Sequence, residues 1–212
     1  MRTDDFIKAL AADTATPQPR PRRALGLALA VGVALAGILF AVFLGPRADI
    51  AAAIGTWRFQ LKLIVMAVLL ASTVVVLLRL THPDVRPRSA LLPLALAPLL
   101  LVTGIAAELM STPPESWSAR AMGTNSLVCL TIVPLLALTP LVVVFAALRN
   151  AAPASPALAG AAAGILAGAV SATYYATLCT DDSPLFVATW YTIAIGGLAC
   201  IAAIVGRQLL KW

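Results

Sequence analysis

Six long runs of this chain contain no charged residue at all: Ala24 to Leu44, Leu63 to Leu78, Ala90 to Ala107, Ser126 to Leu148, Ala157 to Leu178 and Leu185 to Val205. Crossing a hydrocarbon core of about 30 Å takes roughly 20 mostly apolar residues, and each run approaches or exceeds that length. No water is present in the core to satisfy backbone N–H and C=O groups, so such segments close their own hydrogen bonds as helices. An apolar share of 61%, a charged share of 11% and a mean hydropathy of +0.96 over 212 residues lie outside the soluble range. The sequence therefore predicts an all-α membrane protein, a six-helix transmembrane bundle over residues 24–212 behind a polar tail of residues 1–23. The first run does not read as a signal peptide, because it follows a segment with three Asp, is long, and lacks a small-residue cleavage site.

The formal charge of +6 suggests nucleic acid until its placement is considered. Eleven of the fifteen basic residues fall in the tail, the second and fourth connections and the C-terminus; Arg47, Arg58, Lys62 and Arg120 alone occupy the alternate side. The positive-inside rule then places both termini in the cytoplasm, and the charge reads as topology rather than as nucleic-acid binding.

In the tail, Thr3 suits an N-cap, Asp4 and Asp5 suit the positive end of a first turn, and Phe6, Ile7 and Leu10 share a face of a short amphipathic helix ending near Ala12. Pro17, Pro19 and Pro21 make an extended spacer before the membrane. Such a short helix is marginal alone. It reads either as a frayed tail or as an apolar face offered to a partner.

Within the spans, Pro93, Pro98, Pro134 and Pro140 predict kinks, and Gly160, Gly164 and Gly168 make a face for close helix packing. Tyr174, Tyr175, Trp190 and Tyr191 read as interfacial anchors, and Lys62 and Glu108 as span-end residues that snorkel or reach a loop. No ionisable group falls in the middle of a span, which argues against an ion-coupled transporter.

Catalytic chemistry is scarce. There is one histidine, His82, in a short loop, and no CxxC, HExxH or zinc-type spacing. In "LCTDDSPLF", Asp182 or Ser183 followed by Pro184 reads as the capped start of the sixth helix. Cys129 lies 19 residues from Leu148, and Cys179 lies 22 from Ala157. At about 1.5 Å per residue the two thiols come level to within about one turn on neighbouring antiparallel helices, on the side where disulfides are permitted. Nearby acids raise a thiol pKa, which disfavours a catalytic cysteine. A disulfide, or a soft cation with Asp181 and Asp182 as additional metal ligands, remains open. Cys200 reads as a buried small apolar residue, and no cofactor is implied.

The run from Cys129 to Ile195, with "CLTIVPLL", "AGAAAGILAG" and "CTDDSPLFVATWY" in order, together with the opening "RTDDFIKALA", resembles the NrsF family of six-span inner-membrane anti-sigma factors. The resemblance covers essentially the whole chain. It implies that Cys129 and Cys179 match the family cysteines linked with stress sensing. It also implies that Thr3, Asp4, Asp5, Phe6, Ile7 and Leu10 belong to the segment that engages an extracytoplasmic-function sigma factor of the sigma-F type. The family often has His where this chain has Leu178, which removes an imidazole from any metal site. It usually has Leu where this chain has Phe6, and the aromatic keeps the apolar face. The implied function is regulatory and not enzymatic: sigma sequestration, with release on oxidation or soft-metal binding at the cysteines. Two rival readings are a membrane thiol oxidoreductase, which normally needs paired redox motifs, and a small-solute channel or exporter, which the prolines favour and the apolar mid-membrane opposes.

Overall fold

A computed structural model describes residues 21–80, 87–149, 151, 153 and 155–210. The tail helix expected from Thr3 to Ala12, and His82, lie outside the described residues. Six helices are long and apolar enough to cross a membrane. Their main bodies are α1 (Pro21–Phe43), α2 (Trp57–Leu80), α3 (Leu96–Ser111), α4 (Ser126–Arg149), α5 (Pro156–Leu178) and α6 (Thr192–Leu209). Among the described residues there is no strand.

The helices depart from the apolar runs in two informative places. α2 begins at Trp57, so Arg58 and Lys62 are helical rather than flanking, and α3 continues through Glu108 to Ser111. Of the four span prolines only Pro93 coincides with a break, where a backbone donor is lost; Pro98 lies in the first turn of α3. Pro93 falls in a 3₁₀ turn, Leu92–Ala95, that leads into α3. Pro134 and Pro140 are accommodated inside α4, and Pro140 faces Gly32 of α1, where an added Cβ would come within 2.9 Å of the Pro140 Cα. The sixth span opens with a turn, Pro184–Phe186, and a π-helical turn, Val187–Tyr191, before α6.

α5 is the central post of the bundle. Buried residues make up 67% of its most apolar stretch, against 39% or less in every other span, and α6, α2, α4 and α1 all pack on it. Its small residues make this possible. A Cβ on Gly160 would lie 2.3 Å from the Ala202 carbonyl oxygen, one on Gly164 2.7 Å from that of Leu198, and one on Gly168 3.1 Å from Ile195. Gly206 returns the contact against Gly160, so α5 and α6 meet backbone to backbone, the packing expected of the glycine face.

The aromatic residues are placed otherwise than expected. Tyr175 and Tyr191 are fully buried in a cluster with Phe186, Cys129 and Cys179. Tyr174 stacks on Phe40 of α1, and Trp190 donates from Nε1 to the Ala121 carbonyl at 2.9 Å. Tyr175 and Tyr191 thus fill the core instead of anchoring at an interface, while the half-buried Tyr174 and Trp190 each donate to a backbone carbonyl. Cys200 is exposed on the bundle surface, not buried. Leu27, Ile38, Leu99, Leu135, Val142 and Ile201 are also exposed, the apolar exterior that a bilayer covers.

Replacing Gly160 with Ala should lower the unfolding midpoint in detergent, at a cost of about 1–3 kcal/mol, since the opposing atoms are backbone and cannot rotate away. Gly196→Ala, whose Cβ meets nothing within 4 Å, serves as the neutral control; thermal melts followed by circular dichroism compare the two.

Candidate functional site

The end of the bundle away from the start of α1 is built around the five residues between α5 and the sixth span, Cys179 to Ser183. α5 ends because Cys179 turns extended (φ −70°, ψ 127°), its N–H still bonded to the Tyr175 carbonyl at 2.8 Å. The sixth span starts where the Ser183 hydroxyl accepts from the Leu185 N–H at 3.3 Å, with Pro184 in the first helical position. Ser183, rather than Asp182, is therefore the cap, and Asp182 is free for other partners.

Those partners are cations from elsewhere in the chain. The Lys62 ammonium is completely buried; it pairs with Asp182 Oδ1 and donates to the Cys179 carbonyl at 3.1 Å. Arg47, from the first connection, donates from Nη1 to Asp182 Oδ2 at 2.8 Å and to the same Cys179 carbonyl at 3.3 Å. On its other side Arg47 grips Asp49 with two bonds of 2.6 Å, which hold that carboxyl below the usual carboxylate range. Lys62 thus does not snorkel to a headgroup: α2 carries it inward, where a buried charge is tolerable only if paired and hydrogen-bonded.

Glu108 is the second anionic node. It is fully buried and accepts from Arg58 Nε at 2.6 Å, from Arg120 Nη1 at 3.1 Å and from the Ser183 hydroxyl at 3.3 Å. It neither snorkels nor reaches water. Asp181 makes no ion pair among these contacts and instead accepts from the backbone N–H groups of Thr124 at 3.0 Å and Asn125 at 2.8 Å, and from the Asn125 side chain at 2.9 Å. It therefore caps α4 from a distant part of the chain, anion against the positive end of the helix. The cap requires Gly123, at φ +60°, because a Cβ there would stand 2.4 Å from the Phe186 ring and 2.8 Å from Asp181 Cγ.

Directly beneath the turn, Cys129 of α4 and Cys179 are both buried, unbridged and members of one cluster with Tyr175 and Tyr191. The Asn125 carbonyl accepts from the Cys129 N–H at 2.8 Å and from the Tyr175 hydroxyl at 3.2 Å, so the Asp181 cap and the Cys129 position share one residue. Burial pushes the Cys179 thiol above its ordinary pKa, and the Lys62 ammonium opposes the shift. The expected effect of a nearby acid is present but small: burial is the main cause, and the Asp181 carboxylate adds the least. Among the described residues no group of three or more His, Cys, Asp and Glu is placed to hold a metal ion. The Asp181 and Asp182 carboxylates are engaged as above, so a soft cation at this site would draw chiefly on the two sulfurs.

The sequence places Cys129, Cys179, Asp181 and Asp182 in one region, and the structure brings them together. Arg47, Arg58, Lys62, Glu108 and Arg120 were not singled out as site residues. A usable signal was present: the four cations of the sparse side, Arg47, Arg58, Lys62 and Arg120, fall in or beside the first and third connections, on the same side of the bundle as Asp49, Glu108, Asp181 and Asp182. The tail residues Thr3, Asp4, Asp5, Phe6, Ile7 and Leu10 lie outside the described residues.

A family model described as NrsF, negative regulator of sigma F, matches residues 10–212. Over the full length of both chains, the sequence is 30% identical to the probable anti-sigma-F factor NrsF of Azospira oryzae and 32% identical to the anti-sigma-F factor NrsF of Caulobacter vibrioides. No solved structure matches the chain.

Two measurements check this site. Asp182→Ala should destabilise the protein by about 3–5 kcal/mol by stranding Lys62, and adding Lys62→Met should recover much of the loss, read as detergent unfolding midpoints of the single and double variants. In a Cys129→Ser/Cys200→Ser background, alkylation of Cys179 should keep rising about tenfold per pH unit past pH 8.5. An ordinary exposed thiol levels off there, because the raised pKa keeps Cys179 protonated.

Proposed function

The chain belongs to the NrsF family, and we propose that it is an inner-membrane anti-sigma factor that holds a sigma-F-type extracytoplasmic-function sigma factor by its N-terminal tail and releases it in response to thiol chemistry at Cys129 and Cys179. Similarity over the whole length to two proteins named as anti-sigma-F factors is the observation that carries the reading. The distribution of basic residues supports cytoplasmic termini, which put the tail beside the transcription machinery and the Cys179 turn on the extracytoplasmic side.

Each end of the molecule then has a task. Phe6, Ile7 and Leu10 bury an apolar face on the sigma factor, while Asp4 and Asp5 match its basic groups. At the other end, the two thiols give up two protons and two electrons to a two-electron oxidant and close one disulfide; a soft divalent cation achieves a related bridge by displacing two protons. Two buried thiols in one cluster on adjacent helices support this chemistry, and the raised thiol pKa at Cys179 makes it slow toward weak oxidants. The closed state must disfavour sigma binding by a few kcal/mol, since a signal with equal affinity for both states shifts nothing.

Capture of the sigma factor by the full-length protein and by one lacking residues 1–23 tests the tail. Truncation should abolish capture, and undiminished capture would refute the assignment. Cys129→Ser and Cys179→Ser should each retain capture yet fail to release sigma under oxidant; normal release by both would exclude the pair as the switch.

A further inference from the structure

For thiol chemistry at the Cys179 turn to release a partner held by the tail, the change must reach the start of α1, at the other end of the bundle. The tail continues directly into α1, so whatever moves α1 moves the tail's attachment. α1 packs on α4 and α5, the helix that carries Cys129 and the helix that leads to Cys179.

Its links to α5 are few and specific. The Tyr174 hydroxyl donates to the Val33 carbonyl at 3.0 Å, and the Tyr174 ring stacks on Phe40 at 5.6 Å between centroids. Gly37 makes room for that hydroxyl, since a Cβ there would lie 2.7 Å from it. At its end α1 closes with the Leu44 and Gly45 N–H groups both bonded to the Phe40 carbonyl, at 2.9 and 2.8 Å, and Gly45 adopts φ +73°. Pro46 fixes the next torsion, and then comes Arg47. The Arg47 N–H donates to the Thr177 carbonyl at 3.0 Å, while its guanidinium reaches the Cys179 carbonyl and Asp182. Tyr174, Thr177 and Cys179 are thus each bonded to α1 or to the residue just past its cap.

We propose that α1 is the output element of the thiol site and that Arg47 and Tyr174 are the positioning residues that transmit a change at Cys179 to it; the inference rests on the release reading above. Closing a bond from Cys179 Sγ to Cys129 Sγ displaces the Cys179 peptide, whose carbonyl is held by both Lys62 and Arg47. The Lys62 anchor sits on α2 and is buried, whereas Arg47 keeps a second carboxylate, Asp49, when it leaves the turn. An Arg47 released from the turn would still be paired with Asp49, and its release would free the end of α1. Two discrete arrangements of one packed element are what coupling between distant sites requires.

The test uses the full-length protein in lipid nanodiscs with its sigma factor. The oxidant is a diazenedicarboxamide, which takes two protons and two electrons from the thiols and becomes the hydrazine. Thiol loss is read by maleimide mass-tagging and sigma retention by capture. The Arg47→Ala/Tyr174→Phe variant should capture sigma when reduced and lose its thiols as the wild type does, yet release roughly fivefold less sigma or lower still. Tyr174→Phe alone keeps the ring stack and removes only the hydroxyl, so it folds even if Arg47→Ala does not, and it should show a partial loss of release. Release at the wild-type level by both variants overturns the linkage while leaving thiol sensing intact. Wild-type protein that is oxidised without releasing sigma overturns the release reading, and this inference with it.

Discussion

A lysine ammonium with no access to water needs a carboxylate beside it, and in this bundle the requirement is met by Asp182 in a turn more than a hundred residues away. Much of the distal end follows from that pairing. Holding Asp182 inward sets the turn from Cys179 to Ser183 against α2. The same turn then offers Asp181 to the start of α4, Ser183 to Glu108 of α3, and the Cys179 carbonyl to Arg47 beyond α1. One short connection thereby fastens every other span at this end. The apolar surfaces cannot do this, because lipid is as apolar as the helix faces and gives packing no hydrophobic advantage. Small-residue contact along α5 and α6 supplies the association, and the polar turn supplies the register.

The thiols inherit their setting from this arrangement. Cys179 lies one residue past a helix and one side chain below two cations, yet burial dominates and keeps it protonated. A thiol held protonated in this way is a poor nucleophile, since the thiolate is the reactive form. In the proposed sensing role such a pair responds slowly to weak oxidants. Placement beneath the polar turn gives such a change mechanical consequence, because the Cys179 backbone is held by the groups that also hold α1 and α2.

How much of this the sequence discloses depends on whether an element is local. The six spans are legible from the absence of charge, the glycine face of α5 from its spacing, and the level placement of Cys129 and Cys179 from counting along two antiparallel helices. For Lys62 and Glu108 the sequence offers two readings, snorkelling or reaching a loop, because a charge at the end of an apolar run looks the same whether it points to water or to a partner; the structure selects the second, with Lys62 on Asp182 and Glu108 on Arg120 and Ser183. Tyr175 and Tyr191 were misread for a related reason: an aromatic near a span end resembles an anchor until a buried neighbour is found for it. Asp181 as the cap of α4 was beyond sequence reasoning, since caps are sought among adjacent residues and this one comes from the far side of α5.

The turn from Cys179 to Ser183 is joined to α1 through Arg47, and in the proposed mechanism it moves α1 when the thiols close. Amide hydrogen exchange on the purified full-length protein, reduced and then oxidised, addresses this directly at the Arg47 N–H, which donates to Thr177. The account predicts that oxidation lowers protection at Arg47 and through the last turn of α1, together with a change at Cys179 to Ser183. A change confined to the Cys179 turn, with Arg47 and α1 protected as before, would contradict it.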